Sequence, residues 1–136
     1  MIYGFLFVIW GLVSFGQTID LNQLTGKWHS YKISQEGKKD SVDDVFMTFK
    51  ADSSYIEENK SDKVLVKGTY CLDRKNNQIS FKDLFLMRKH PVGPIVKVYS
   101  ETIISLDENN LMILVKPNVH IGDTQKDIKV YCKRVK

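Results

Sequence analysis

The sequence predicts an all-β protein built as a single antiparallel up-and-down β-barrel of about eight strands. Three observations lead to this prediction. Short segments of alternating apolar and polar residues fill the chain after position 26, turn residues separate them at hairpin-like intervals, and helical periodicity is almost absent. Closing the sheet would remove its exposed edges. A β-sandwich is the alternative, because the alternation does not separate the two architectures.

The N-terminal segment differs from the rest of the chain. Residues 1–16 carry no charge, and the apolar run 5–13 has the length of a signal-peptide core, which is short for a membrane span. We therefore expect a cleaved signal peptide at 1–16, a barrel domain at 17–136 and an exported protein, periplasmic or extracellular, with no stable membrane anchor. No Lys or Arg precedes the apolar run, so an uncleaved anchor is the alternative.

Composition and charge exclude several classes of function. The 136 residues have room for one domain, and 20 Lys and Arg against 16 Asp and Glu give a mild charge of +4. The basic residues are scattered among acids, which does not favour nucleic-acid binding. His29, His90 and His120 lie on separate elements, and no Cys/His cluster or nucleophile motif occurs. We expect no metal, no cofactor and no catalytic residue, and hence a protein that is not an enzyme.

The two cysteines, Cys71 and Cys132, allow one pairing. In an exported chain an even count favours a disulfide. A bridge closing a loop of about 60 residues would stabilise the fold by roughly 4 kcal/mol in the chain-entropy model. Two free thiols are the alternative.

The chain begins its folded part with a helical turn and continues with strands. Asp20 is a candidate N-cap, and Leu21 and Leu24 lie three residues apart, as in a short helical turn. The predicted strands that follow are 27–34, 45–50, 55–59, 64–73, 78–81, 95–106, 111–115 and 127–135.

The opening of the first strand, Leu24-Thr25-Gly26-Lys27-Trp28, resembles the Gly-x-Trp signature of lipocalins and related calycins. Further segments at 47–55, 68–70, 104–107 and 110–114 resemble small bacterial lipocalin-like domains of the calycin superfamily. Together these segments cover most of positions 21–136. The resemblance implies a lipocalin-like barrel with a short N-terminal helical turn.

The resemblance also implies how the barrel closes. In that family a basic residue of the last strand stacks on the signature Trp. Arg134 matches this position, so Gly26, Trp28 and Arg134 are the expected closure residues, with a cation–π contribution of about 1 kcal/mol. The chain lacks the helical lid and the Arg-x-Tyr of fatty-acid-binding proteins, so no fatty-acid site carries over.

The alternation also predicts which residues line the barrel. The lining would suit a pocket for a small hydrophobic or amphipathic ligand bound without catalysis, and it describes a filled core equally well. A filled barrel would favour a protein-interaction or inhibitor module of the cell envelope, whose protein partner the sequence does not identify. The predicted lining residues are Met47, Phe49, Tyr55, Tyr70, Leu72, Phe81, Ile104 and Ile113.

Several acids occur as neighbouring pairs at turns or strand ends. Adjacent strand residues such as Glu57 and Glu58 face opposite sides of a sheet, so they cannot serve one site together. We interpret the paired acids as solvated rim charges. The stretch 85–94 joins apolar residues to Arg88 and Lys89 and contains two prolines. It is interpreted either as a mobile lip that attracts an anionic ligand or as a plain connection between strands.

Overall fold

The computed structural model describes residues 19–88, 91–116 and 126–136, with the backbone alone for residues 91–96. The predicted signal peptide at 1–16 lies outside the described residues, as do Lys89, His90 and His120. No helix within the described ranges is long and apolar enough to cross a bilayer.

The chain forms a 3₁₀ helix followed by eight strands. The helix spans Leu21–Leu24, and the Asp20 carboxylate caps it by accepting a hydrogen bond from the Asn22 N–H at 3.0 Å. The strands are β1 (Gly26–Gln35), β2 (Val45–Phe49), β3 (Ser54–Asn59), β4 (Val64–Asp73), β5 (Gln78–Met87), β6 (Pro91–Leu106), β7 (Asn110–Val115) and β8 (Ile128–Arg134).

Every strand pairs antiparallel with its neighbour in sequence, and β8 pairs with β1 to close the barrel. The prediction of an up-and-down barrel with a short N-terminal helical turn is therefore confirmed, and the sandwich is excluded. Short turns join β2 to β3, β3 to β4, β4 to β5 and β6 to β7, and each joins two strands that are adjacent in the sheet. Closure leaves no edge of the sheet unpaired.

An aromatic cluster fills the part of the barrel nearest the 3₁₀ helix. Phe49 lies 5.1 Å from Tyr55 and 5.2 Å from Tyr70, measured between ring centroids. Phe81 stacks on Tyr99 at 4.9 Å. Such pairs stabilise a core beyond the burial of their area, by about 1 kcal/mol each. This end of the barrel is therefore a packed core.

The disulfide prediction is wrong. Cys71 is exposed on β4, whereas Cys132 is buried on β8, and both are free thiols. The two strands lie on opposite sides of the barrel, four positions apart in the strand order. The alternation of side chains along β4 turns Cys71 outward, so the two sulfur atoms face different environments.

The prediction that Ile104 lines the barrel is also wrong. Ile104 is 38% exposed, and its neighbour Ile103 is 2% exposed and belongs to the core. The pairing of β6 with β7 shifts register between Ile103 and Ser105. Such an irregularity changes which side chains face inward, and simple alternation does not reveal it.

The stretch 85–94 belongs largely to two paired strands. Phe85 pairs with Pro94, Leu86 with Gly93, and Met87 with Pro91. The β5–β6 hairpin is thus longer than predicted, with β5 ending at Met87 and β6 beginning at Pro91. The prolines are tolerated where the ladder is irregular, since the register shifts between Leu86 and Met87.

Candidate ligand site inside the barrel

Trp28 on β1 and Arg134 on β8 close one end of the barrel. They are direct partners in the ladder, and the guanidinium carbon lies 4.3 Å from the indole ring centroid. Arg134 Nε donates to the Glu108 carbonyl at 2.6 Å, and Nη1 donates to the Thr25 carbonyl at 2.9 Å. Nη2 donates to the Gln23 carbonyl. The arginine therefore ties the first strand, the helical turn and the β6–β7 turn together.

Gly26 makes room for this contact. Its φ of +130° is a conformation that L side chains rarely adopt, and an added Cβ would lie 2.5 Å from Arg134 Nη1. Trp28 in turn donates its indole N–H to the Leu24 carbonyl at 2.8 Å. The three closure residues are in direct contact with one another or with the 3₁₀ helix.

The other predicted lining residues face the barrel interior. Ile104 alone among them lies outside, as described above. Whether any of them contacts a ligand stays a prediction. The buried ones are Met47, Phe49, Tyr55, Phe81 and Ile113, and the partly buried ones packed against them are Tyr70 and Leu72.

Acidic side chains line the remaining part of the interior. Glu57 follows Tyr55 by two positions on β3, so both point inward. Its direct ladder partners are Met47 and Val66, both buried. Burial raises the pKa of the Glu57 carboxyl, and the nearby charge of Asp83 adds to the rise. Glu57 is therefore an interior acid and not a rim charge, which corrects the interpretation from the sequence.

Asp83 is the most deeply buried of these acids, at 5% exposure. Its Oδ1 accepts a long hydrogen bond of 3.3 Å from the Tyr99 hydroxyl. Desolvation raises the pKa of Asp83, although Tyr99 and the ammonium group of Lys97 oppose the rise. Among the described side chains, no other hydrogen bond or ion pair reaches this carboxylate. Asp83 therefore retains unused acceptor capacity in a buried place.

Glu101 on β6 completes the set. It pairs with Ile79, which is fully buried, so its side chain faces inward. Desolvation, followed by the charges of Glu57 and Asp83, raises the pKa of Glu101 to about 7. We call Glu57, Asp83 and Glu101 the acidic layer.

Ser30, Asp43 and Cys132 adjoin the acidic layer. Ser30 is 1% exposed and donates its hydroxyl hydrogen to Asp43 Oδ2 at 2.5 Å. Burial, with the charges of Asp43 and Glu101, raises the pKa of the Cys132 thiol to about 12. Cys132 is therefore a protonated, unreactive thiol at neutral pH.

Tyr55 supplies a buried phenol group beside Glu57. The residue is 2% exposed, and a hydrogen bond between its hydroxyl and the Glu57 carboxyl affects the pKa of both groups. Burial and the charge of Glu57 raise the pKa of this hydroxyl, so it faces the acidic layer as a donor. Its ladder partner is Gly68, which in turn pairs with Asp83. No side chain therefore fills the inner wall between Tyr55 and Asp83.

Gly68 is required at this place. An added Cβ would lie 2.1 Å from the Lys82 carbonyl oxygen, and the ladder shifts register between Lys67 and Gly68. A backbone atom cannot move away as a flexible side chain can. The register shift in β4 thus requires a residue without a side chain at position 68, and the inner wall between Tyr55 and Asp83 stays open there.

The acidic layer is not arranged as a metal site. Within the part of the chain that the structure describes, no three Asp, Glu, His or Cys side chains are close enough to hold one ion. His29 lies on the outer face, where its Nε2 is 2.7 Å from Asp44 Oδ1. The interior chemistry consists of carboxylates, phenol hydroxyls and aromatic faces.

The same architecture occurs in a solved structure, a lipocalin-like protein from Bacteroides uniformis ATCC 8492. That structure matches with a TM-score of 0.56 and 17% sequence identity, and the match covers 83% of this chain and 99% of that one. The fold is lipocalin-like. No family model and no curated protein matches the sequence of this lipocalin-like barrel.

Sequence reasoning missed the acidic layer for an identifiable reason. It compared neighbouring acids such as Glu57 and Glu58, which do face opposite sides. The informative spacing is two residues, because Tyr55 and Glu57 share a face, as do Phe81 and Asp83. An acidic residue two positions from a predicted core aromatic residue is the sequence pattern that indicates an inward-facing acid.

The outer surface of the lipocalin-like barrel carries a separate cleft of about 750 Å³. It lies at one end of β1 and β8, away from the acidic layer, and Ile104 contributes to it. Both charge signs are present, so the cleft selects no ligand by charge. The lining residues are Ser34, Glu36, Ile104, Leu114, Lys126, Asp127 and Lys129.

Proposed function

We propose that this protein binds a small amphipathic molecule inside the barrel, without catalysis. The observation that carries the proposal is the division of the interior into an aromatic core near Trp28 and the acidic layer beyond it. A ligand site of this kind combines apolar walls with a few polar groups that fix orientation. The lipocalin-like fold supports a binding role.

The partial exposure of the acidic layer favours an interior that a ligand can enter. Glu57 and Glu101 point inward, yet both are only partly buried, in contrast to Phe49 and Phe81. An inward side chain with accessible surface borders space that solvent reaches. Phe49 and Phe81 in the aromatic core have almost no accessible surface and form the floor of the site.

We propose further that the protein acts outside the cytoplasm. The support is the uncharged apolar segment at 1–16. Expressing the full chain and sequencing the N-terminus of the mature protein tests this proposal. An intact segment at 1–16 in the envelope fraction would contradict cleavage.

Binding can be tested with N-phenyl-1-naphthylamine, an uncharged apolar probe whose fluorescence rises in apolar surroundings. We expect saturable binding to the unchanged protein. Val66→Phe would fill the space opposite Glu57 and should abolish binding, whereas Leu65→Phe points outward and serves as the matched control. Circular dichroism verifies that both variants fold. Binding that survives Val66→Phe would place the probe outside the barrel and contradict the proposal.

A protein-interaction module is the second candidate. The observation that favours it is the outer cleft, which places Ile104 and Leu114 beside charged side chains at the surface. Ile104→Ser together with Leu114→Ser would weaken such an interaction and leave probe binding inside the barrel unchanged. Loss of probe binding in this double variant would instead assign the cleft to the ligand site.

A further inference from the structure

The outer wall of the barrel, on the side where β8 closes on β1, carries several lysine side chains. We propose that this wall binds reversibly to the surface of a bilayer that contains anionic lipid. The lysines contact the lipid phosphate groups, and the contact needs no ligand inside the barrel. We call this surface the lysine face, and its residues are Lys27, Lys32, Lys60, Lys129 and Lys133.

Closure of the barrel brings together lysines from the two ends of the folded chain. The pairing of β8 with β1 places Lys133 opposite His29 and Tyr131 opposite Lys32. Cys132, which lies between Lys133 and Tyr131, is buried, so these two neighbours point outward. The lysines are scattered along the sequence, and the closed ladder places them on one surface.

A β-bulge adds to the polar groups that β1 presents outside. The ladder with β8 shifts register between Ser30 and Lys32, so Tyr31 is the extra residue. Lys133 Nζ lies 5.0 Å from the Tyr31 ring centroid, and Lys32 Nζ lies 4.1 Å from the Tyr131 ring centroid. Because Lys133 and Tyr131 point outward, Tyr31 and Lys32 both lie on the outer wall.

Phe46 on β2 extends the same surface towards the turn after β3. It pairs with His29, whose ring stacks on it with 4.5 Å between the centroids. Lys27 Nζ and Lys60 Nζ lie 5.0 Å and 4.5 Å from the Phe46 ring centroid. At a strand spacing of about 4.8 Å, the lysine face is about 14 Å across and about 17 Å long.

The charge of the lysine face is uncompensated within its own strands. The strands β7, β8, β1 and β2 are consecutive in the barrel and contain no Asp or Glu. The five lysines form no ion pair with a described residue. Acids lie only beside these strands, such as Asp44, whose Oδ1 is 2.7 Å from His29 Nε2, and Glu58 on β3. Charge complementarity therefore requires an anionic partner.

The covered aromatic rings favour a phosphate surface over a nucleic acid. A single strand of nucleic acid binds proteins by stacking its bases on aromatic faces. Lysine ammonium groups already lie over the rings of Tyr31, Phe46 and Tyr131. Tyrosine rings beside ammonium groups are instead typical of the headgroup level of a bilayer.

The spread of the charges favours a flat surface over a linear polymer. Of the five lysines, Lys129 alone lines the outer cleft, so the charges do not follow a groove. They extend from β8 to the turn after β3. The flexible stem of lysine lets ammonium groups on a curved sheet reach one plane of phosphate groups.

Co-sedimentation of the full chain with vesicles tests this inference. Mixed vesicles contain phosphatidylcholine with about 30% phosphatidylglycerol, which is anionic. Vesicles of phosphatidylcholine alone measure binding that does not depend on charge, including any contribution of the uncharged segment at 1–16. We expect binding to mixed vesicles to be at least about tenfold stronger at about 50 mM salt, and to be lost near about 500 mM.

A pair of double variants locates the contact on the protein. Lys32→Gln with Lys133→Gln should weaken binding to mixed vesicles by about 25-fold, since each lysine near an anionic surface contributes about fivefold. The matched control, Lys75→Gln with Lys82→Gln, changes the net charge equally at exposed positions across the barrel from β1. It should leave binding within about twofold of the unchanged protein. Circular dichroism verifies that both variants fold.

Acetylation of the unchanged protein gives a readout that needs no variant. With mixed vesicles in excess, Lys32 and Lys133 should lose most of their reactivity, whereas Lys75 and Lys82 should keep theirs. Mass spectrometry of the digested protein measures the acetylation of each lysine.

Several outcomes would overturn the inference. They are equal binding to the two kinds of vesicle, equal losses in the two double variants, and equal protection of all four lysines from acetylation. Binding of polyglutamate or oligothymidylate without binding of mixed vesicles would assign the lysine face to an acidic macromolecule and also overturn it. None of these results changes the proposed binding inside the barrel, which the uncharged probe measures separately.

Discussion

Glu101 lies directly opposite Ile79 on neighbouring strands, so a carboxyl group shares the inner face of the barrel with a fully buried aliphatic side chain. An ionised carboxylate is poorly solvated in such a place, and the charges of Glu57 and Asp83 disfavour it further. The protonated form is favoured until the pH approaches 7. The barrel interior is therefore linked to pH even when it is empty.

This linkage predicts that stability falls as the pH rises from about 4.5 to about 7. In that window the unfolded chain releases the Glu101 proton at its ordinary pKa of 4.5, whereas the folded protein retains it until about 7. The folded state thus binds more protons, and raising the pH favours unfolding by on the order of 3 kcal/mol. Urea unfolding at several pH values measures the effect.

Glu101→Gln should reduce that dependence, and Glu108→Gln, at an exposed turn, should leave it unchanged. The amide cannot ionise, so the variant should be more stable than the unchanged protein above pH 7 and similar to it near pH 5. An unchanged slope of stability against pH in Glu101→Gln would contradict the assignment.

The closure contact predicts a large loss of stability in Trp28→Ala. Removing a fully buried Trp leaves a cavity, and Arg134 loses the ring on which it stacks. We expect a loss of about 3–5 kcal/mol in the free energy of unfolding by urea. Arg134→Lys, which keeps the charge but cannot donate to the same set of carbonyls, should lose about 2 kcal/mol. A Trp28→Ala protein of unaltered stability would exclude the closure role.

The free thiols predict a clear difference in reactivity. Cys71 is exposed and should react rapidly with a thiol reagent such as dithionitrobenzoate, whereas Cys132 is buried with a raised pKa and should react only after unfolding. A reducing agent should not change the melting temperature of the protein. A titration that finds no free thiol in the unfolded, unreduced protein would indicate a disulfide and contradict the structure.

Much of the fold followed from the sequence because it depends on local rules. Alternation located the strands, and turns such as Ala51-Asp52-Ser53-Ser54 joined neighbours, so the up-and-down order was predictable. The inner position of Met47 and Phe49 followed from the same period of two. These features need no knowledge of distant parts of the chain.

The remainder depended on ladder irregularities and on contacts across the barrel. Leu106 packs against the core whereas Ile104 is exposed, because the register shift between Ile103 and Ser105 breaks the alternation that would place both on one face. Whether Cys71 and Cys132 can form a disulfide could be decided only once the strand and the sheet face of each residue were known. The acidic layer joins residues from β3, β5 and β6, whose convergence appears only when the barrel closes.

The register shift in β6 gives a matched pair of substitutions on adjacent residues. Ile103→Ser removes a core side chain that is 2% exposed and buries a hydroxyl in its place, whereas Ile104→Ser changes a side chain that is 38% exposed. We expect a loss of about 3 kcal/mol for the first and about 1 kcal/mol or less for the second. Alternation counted along β6 from Glu101, which faces inward, also predicts an inward position for Ile103. Urea unfolding of both variants measures the difference in their free energies of unfolding. Equal losses, or a larger loss for Ile104→Ser, would mean that β6 keeps a different register from the one described here.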